Sequence, residues 1–155
     1  MKRFVGSLAV LALLTLTAHG AVAAACDPDG VDAQAIADAR ADAAAQCDCA
    51  TAENHGSYVS CVAGVLNARV KNNQLAPSCK GAIQRCAARS TCGKPGFVTC
   101  CRTSAKGATK CSTKRDADHC TPPSGGSACV GGFSSCCDAC TATGCAPTPT
   151  PAPTP

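Results

Sequence analysis

Sixteen cysteines, running from Cys26 to Cys145 behind an export signal, decide what this chain can fold into. Exported thiols meet oxidants, so cysteines at this density mark a disulfide scaffold. The rest of the composition makes that scaffold necessary. The chain has no Trp and a single tyrosine, Tyr58, and its only phenylalanines beyond the signal are Phe97 and Phe133. Apolar content is dominated by Ala and Cys, whose small side chains bury little area at about 25 cal/mol per Å². Bridges that each stabilise by roughly 2–4 kcal/mol are expected to hold what such a core cannot.

Residues 1–25 read as a signal peptide: Lys2 and Arg3 lead, an almost uninterrupted apolar run covers 5–16, and small residues from Ala21 to Ala25 precede Cys26. The run is shorter than the roughly 20 residues of a bilayer-crossing helix, and no second candidate follows. The expected location is therefore extracellular or periplasmic, and the A-x-A exit is of bacterial type. A lipid anchor on Cys26 would leave fifteen cysteines, so parity favours Cys26 as a disulfide partner.

Between 26 and 89 the texture is helical. "VDAQAIADARADAAAQ" is rich in the best helix former, with Asp29 as N-cap and Asp32 in the first turn, and predicts a helix over 31–46. A second helix fits 56–75, where Tyr58, Val59, Cys61, Val62, Val65, Leu66 and Val70 recur at helical spacing up to Pro77. A third follows Ser78 as N-cap, with Cys79, Ile83 and Cys86 on one face. After Arg89, Gly, Ser, Thr and paired cysteines replace Ala. "GFVTCCRT", "SAKG" and "ATKCST" read as a hairpin.

The expected fold class is thus a small disulfide-rich α+β protein: a three-helix unit over 26–89, a loop-rich, short-strand unit over 90–146, and a Pro/Thr-rich tail over 147–155 with no packing surface. Cysteine parity points the same way. Cys26, Cys47, Cys49, Cys61, Cys79 and Cys86 precede the boundary; Cys92, Cys100, Cys101, Cys111, Cys120, Cys129, Cys136, Cys137, Cys140 and Cys145 follow it. Pairing within each set would reduce about two million connectivities to about fourteen thousand. The second unit also echoes itself. "STCGKPGFVTCC" (90–101) and "SACVGGFSSCC" (127–137) align with one deletion, which suggests a duplication in which each copy gives one Phe to a shared core. Successive side chains of a strand face opposite ways, so Cys100 and Cys101 are expected to staple both faces of one strand, and the echo suggests the same for Cys136 and Cys137.

The order of Cys92, Cys100-Cys101, Cys111, Cys120, Cys129, Cys136-Cys137 and Cys140 resembles that of hydrophobins: single, double, single, single, double, single. It departs from it by one additional cysteine between the pairs, by Cys145, and by polar, basic loops where hydrophobins carry apolar ones. Interfacial assembly is accordingly not carried over.

Catalytic and metal signatures are weak. Cys47-x-Cys49 and Cys137-x-x-Cys140 have ligand-like spacing, which keeps a cysteine-rich metal-binding protein as an alternative, but an oxidising compartment disfavours it. Cys137-x-x-Cys140 lacks the βαβ context of a redox motif. His55 and His119 are read as exposed loop residues without hydrolase motifs around them, and Asp38 with Asp42 as a solvated helical face. "CDPDGVD" fails as a calcium loop, because Ala25 and Ile36 fall where carboxylates are needed. No catalytic residue and no cofactor is expected.

Charge provides the functional lead. Removal of Lys2 and Arg3 with the signal lowers the net charge from +4 to +2, but the remainder is segregated. Seven acids and only Arg40 lie between 26 and 53; the stretch 54–115 holds Arg69, Lys71, Lys80, Arg85, Arg89, Lys94, Arg102, Lys106, Lys110, Lys114 and Arg115 and no acid. Such a block suits an anionic polymer or surface as the extracellular partner. Nucleic acid is disfavoured by the shortage of aromatics for base stacking. The expected role is non-catalytic binding, with a cationic defence-type effector or inhibitor as the alternative.

Overall fold

A computed structural model describes residues 25–148. Residues 1–24, nearly all of the expected signal peptide, and residues 149–155 of the Pro/Thr-rich tail lie outside the described residues. Three helices come first: α1 (Ala33–Gln46), α2 (His55–Lys71) and α3 (Pro77–Ala88). Strands β1 (Val98–Thr103), β2 (Thr109–Lys114) and β3 (Ser127–Val130) follow, then the single turn α4 (Cys136–Ala139) and the short strands β4 (Cys140–Thr141) and β5 (Gly144–Cys145). This is the α+β, disulfide-rich arrangement expected, helices first. Among the described residues no helix is long and apolar enough to cross a membrane.

Helix termini differ from expectation in ways the local chemistry explains. Asp32, not Asp29, occupies the N-cap of α1, and its carboxylate accepts from the Asp27 amide rather than from the helix. Asn54 caps α2 through a reciprocal box with Ser57. Pro77 opens α3 instead of closing the element before it, since its missing N–H is no loss in the first turn.

The core lies among the helices. Ala39 and Ala43 of α1 pack with Val62 and Leu66 of α2, Leu75, and Cys79, Ile83 and Ala87 of α3. Alanine on α1 lets the helices approach closely, and the bridges Cys26–Cys79 and Cys47–Cys61 fasten that packing from its edges. The sheet, ordered β2-β1-β3 and antiparallel throughout, has an interior of cysteines instead of phenylalanines. Phe97 is 40% exposed and Phe133 half-buried, so neither forms the shared core expected of a duplication.

The cysteines are not partitioned into six and ten. Cys49–Cys92 and Cys86–Cys137 cross from the helices to the strand region, leaving two bridges within the helices and four beyond them. Polar contacts reinforce the joint: Thr91 N donates to Ser134 O at 2.8 Å, Cys136 N to Arg89 O at 3.1 Å, and Arg40 pairs with Asp138 at 2.5 Å. Gly93 belongs to this joint as well. Its φ is +67°, and a Cβ there would overlap the Asn54–His55 backbone at the start of α2.

The two cysteine pairs of the echo sit on different elements. Cys100 and Cys101 do staple opposite faces of β1, to Cys120 and Cys140. Cys136 and Cys137 instead lie on the turn α4, where adjacent side chains diverge by about 100°. They bond Cys111 and Cys86.

Candidate anion-binding face

Strand alternation divides the sheet into two unlike faces. On one, Cys101 stands directly opposite Cys111 of β2 and Cys129 of β3, a rung of three cysteines across all three strands. Each reaches away from the sheet to the last described segment: Cys101 to Cys140, Cys111 to Cys136 and Cys129 to Cys145. Thr109 adds a bond of 2.7 Å to the Ala142 carbonyl. That face is therefore covered by α4, β4 and β5.

The other face is covered only in part, by the loop after β2, and Cys100 at its centre is fully buried. The register places Arg102 directly opposite Lys110, and Ser112 and Lys114 follow on the same side of β2. Four residues along a strand span about 13 Å, so the three cations form a pair and an outlier at that distance. A groove of about 610 Å³ runs between them, lined also by Ser104, Ala108 and Pro123. The Cys100–Cys120 bridge lies on this side and tethers the loop after β2. No carboxylate lines the groove, and none of the three cations belongs to an ion pair among the described residues. Arg102 Nε is buried without a hydrogen-bond partner, although a buried N–H is ordinarily satisfied. The nearest acid in sequence, Asp116, is engaged elsewhere: His119 Nδ1 lies 2.5 Å from its carboxylate, and that bond lowers the Asp116 pKa from its ordinary value.

Only these three of the eleven basic residues share the groove. Arg69 is spent on Asp42, at 2.6 Å, so Asp42 is an anchor between α1 and α2 and not merely a solvated acid. Arg89 donates to the Cys111 carbonyl at 2.7 Å, and Lys94 to the Ser90 carbonyl at 3.3 Å, with burial lowering the Lys94 pKa. Lys71, Lys80 and Arg85 sit on α2 and α3, Lys106 at the β1–β2 turn, and Arg115 just past β2. Strand register, not sequence proximity, selects which cations converge.

His55 is not an exposed loop residue. It is the first residue of α2 and half-buried, with Nδ1 at 2.9 Å from Cys92 O and Nε2 at 3.1 Å from Ala88 O. Both partners are carbonyl acceptors, so the ring ties the start of α2 to the end of α3 or to the Cys49–Cys92 bridge through whichever nitrogen carries the proton. His55→Ala is expected to lower the free energy of unfolding by about 1–2 kcal/mol in chemical denaturation, the ordinary worth of a partly buried bonding group. No change would show that the ring contributes nothing to the joint.

Three clusters bring candidate metal-binding atoms together: Cys101 with Cys129 and Cys145, Cys101 with Cys111 and Cys140, and Cys26 with Asp32 and Cys79. Every sulfur among them is already bonded to another sulfur. The thiolates a metal would need are consumed in those bonds. No protein-family model, curated protein or solved structure matches the chain.

Proposed function

We propose that this protein is an exported, non-catalytic binding protein that holds a polyanionic glycan along the cationic groove of its sheet. The observation that carries the reading is the convergence of Arg102, Lys110 and Lys114 on one groove free of carboxylates. An extended cationic strand face suits a linear polymer whose charges repeat along its length. A bilayer is a poorer match: of the large exposed apolar residues Val31, Phe97 and Val130, only Val130 lies on this face, which leaves little to enter the acyl region. Eight disulfides fit an extracellular setting.

The test is binding of the oxidised protein to immobilised polygalacturonate and heparin, with phosphatidylglycerol vesicles in parallel. Binding to the polysaccharides is expected at low ionic strength and should fade as salt screens exposed charges. The triple variant R102Q/K110Q/K114Q should bind about tenfold or more weakly, since three charge contacts are lost. K71Q/K80Q/R85Q, which removes equal charge from the helices, should leave affinity nearly unchanged. Equal losses in the two triples would reduce the effect to net charge and overturn the site. Tighter binding to the vesicles than to either polysaccharide would replace it with a membrane-active effector.

A further inference from the structure

A second cavity, which shares no lining residue with the cationic groove, lies on the helical side. Helix α1 packs along α2 but scarcely meets α3, and a cleft of about 580 Å³ remains between them and the segment leading into α4. Its α1 wall is Ala37, Ala41 and Ala44, whose side chains end at Cβ and leave the space open. Ile83 and Tyr58 form the opposite side. The volume is that of a small-molecule site, and its lining is divided evenly between apolar walls and polar groups.

The charges that face the cleft are Arg40 of α1, Asp48 just after it, and Asp138 of α4. Arg40 and Asp138 are paired at 2.5 Å. Asp48 accepts from Ala50 N and from the Thr51 hydroxyl, both at 2.9 Å. All three are thus engaged within the protein. The Tyr58 hydroxyl differs, for it has no hydrogen-bond partner among the described residues. We infer that this cleft binds a small neutral amphiphile, an apolar body lying along the alanine wall with one hydroxyl or carbonyl hydrogen-bonded to Tyr58. A charged headgroup would have to leave water for a place whose ions are already satisfied, which disfavours it strongly. Burial raises the Tyr58 pKa above 10.0, with Arg40 lowering it and Asp138 raising it, so the phenol keeps its proton as a donor through neutral pH.

Tyr58 is the only tyrosine and the chain has no Trp, so intrinsic emission of the oxidised protein reports this cleft alone. Titration with 1-octanol should give a saturable change in that emission, whereas octanoate and octylammonium should need about tenfold higher concentration. Ala41→Leu fills the cleft from an exposed position and should abolish the response. Ala45→Leu, elsewhere on the exposed surface of the same helix, should retain it, which separates occlusion from damage to α1. The inference is overturned if octanol gives no saturable change, if the ions bind as well as octanol, or if Ala41→Leu responds like the parent. Polysaccharide binding by Ala41→Leu should be unaltered, so this site and the sheet face succeed or fail separately.

Discussion

Replacing Cys49, Cys92, Cys86 and Cys137 together by alanine is expected to lower the unfolding free energy by about 4–8 kcal/mol, two bridges at roughly 2–4 kcal/mol each. These are the two bonds that join helices to strands, and they close long loops, with sequence separations of 43 and 51. Their removal releases chain entropy in the unfolded state over most of the molecule at once. What would remain at the joint is a handful of hydrogen bonds, the His55 ring and the exposed Arg40–Asp138 pair. A domain of this size has a total stability of about 5–15 kcal/mol, so the quadruple variant should sit near its folding threshold. Chemical denaturation should also lose cooperativity, because the helical core of Leu66, Val62 and Ile83 has its own packing and two bridges of its own. A loss below about 1 kcal/mol with one sharp transition would show that the polar contacts alone fix the joint.

The second large effect concerns the rung beneath the sheet. Cys101 is fully buried, and its sulfur lies within 4.8 Å of those of Cys129 and Cys145 and also within 4.8 Å of those of Cys111 and Cys140. Cys140→Ala would leave a Cys101 thiol amid two intact disulfides. Its thiolate can attack Cys111, forming Cys101–Cys111 and releasing the Cys136 thiolate, or attack Cys129 and release Cys145. Non-reducing peptide maps of Cys140→Ala should therefore show several isomers after mildly alkaline incubation. Adding Cys101→Ala removes the attacking group, and the double variant should give one map with the other seven bridges intact. Stability of the double variant should fall by about 2–4 kcal/mol, from the lost bridge. A single native-like map for Cys140→Ala would mean that packing holds the neighbouring disulfides out of reach.

Much of this architecture is legible in the sequence. Alanine runs, the 3.6-residue recurrence through Tyr58, Val62, Val65 and Leu66, and the Gly-containing turn between two β-branched arms place the three helices and the hairpin. The hairpin even contains part of the rung: with the turn at 104–108, Cys101 must fall opposite Cys111. Strand β3 was harder to see because "SACVGG" is short and its partner β1 lies far back in sequence. The echo between 90–101 and 127–137 misled for a related reason. Similar residues became a strand in one place and a helical turn in the other, since β1 has neighbours on both sides while Cys137 is bridged to α3 and Cys136 to β2. For the candidate site, the basic block was visible but its relevant members were not. Arg102 and Lys110 are eight residues apart in sequence and adjacent only through register, whereas Arg69 and Arg89 turn to neighbours that no local pattern announces.

The cysteine rung also sets a timetable. Four of the eight bridges need a partner from the short stretch 136–145: Cys86–Cys137, Cys101–Cys140, Cys111–Cys136 and Cys129–Cys145. A chain emerging at about 5–20 residues per second exposes Cys86 some 3–10 s before Cys137 appears. During that interval Cys86, Cys101 and Cys111 are reactive thiols whose proper partners do not yet exist outside the translating machinery, while Cys26–Cys79 and Cys47–Cys61 can already close. Oxidation in order of appearance would trap the wrong neighbours. Refolding of the reduced protein is therefore expected to yield more native pairing with a catalyst that reopens and redistributes disulfides than with an oxidant alone.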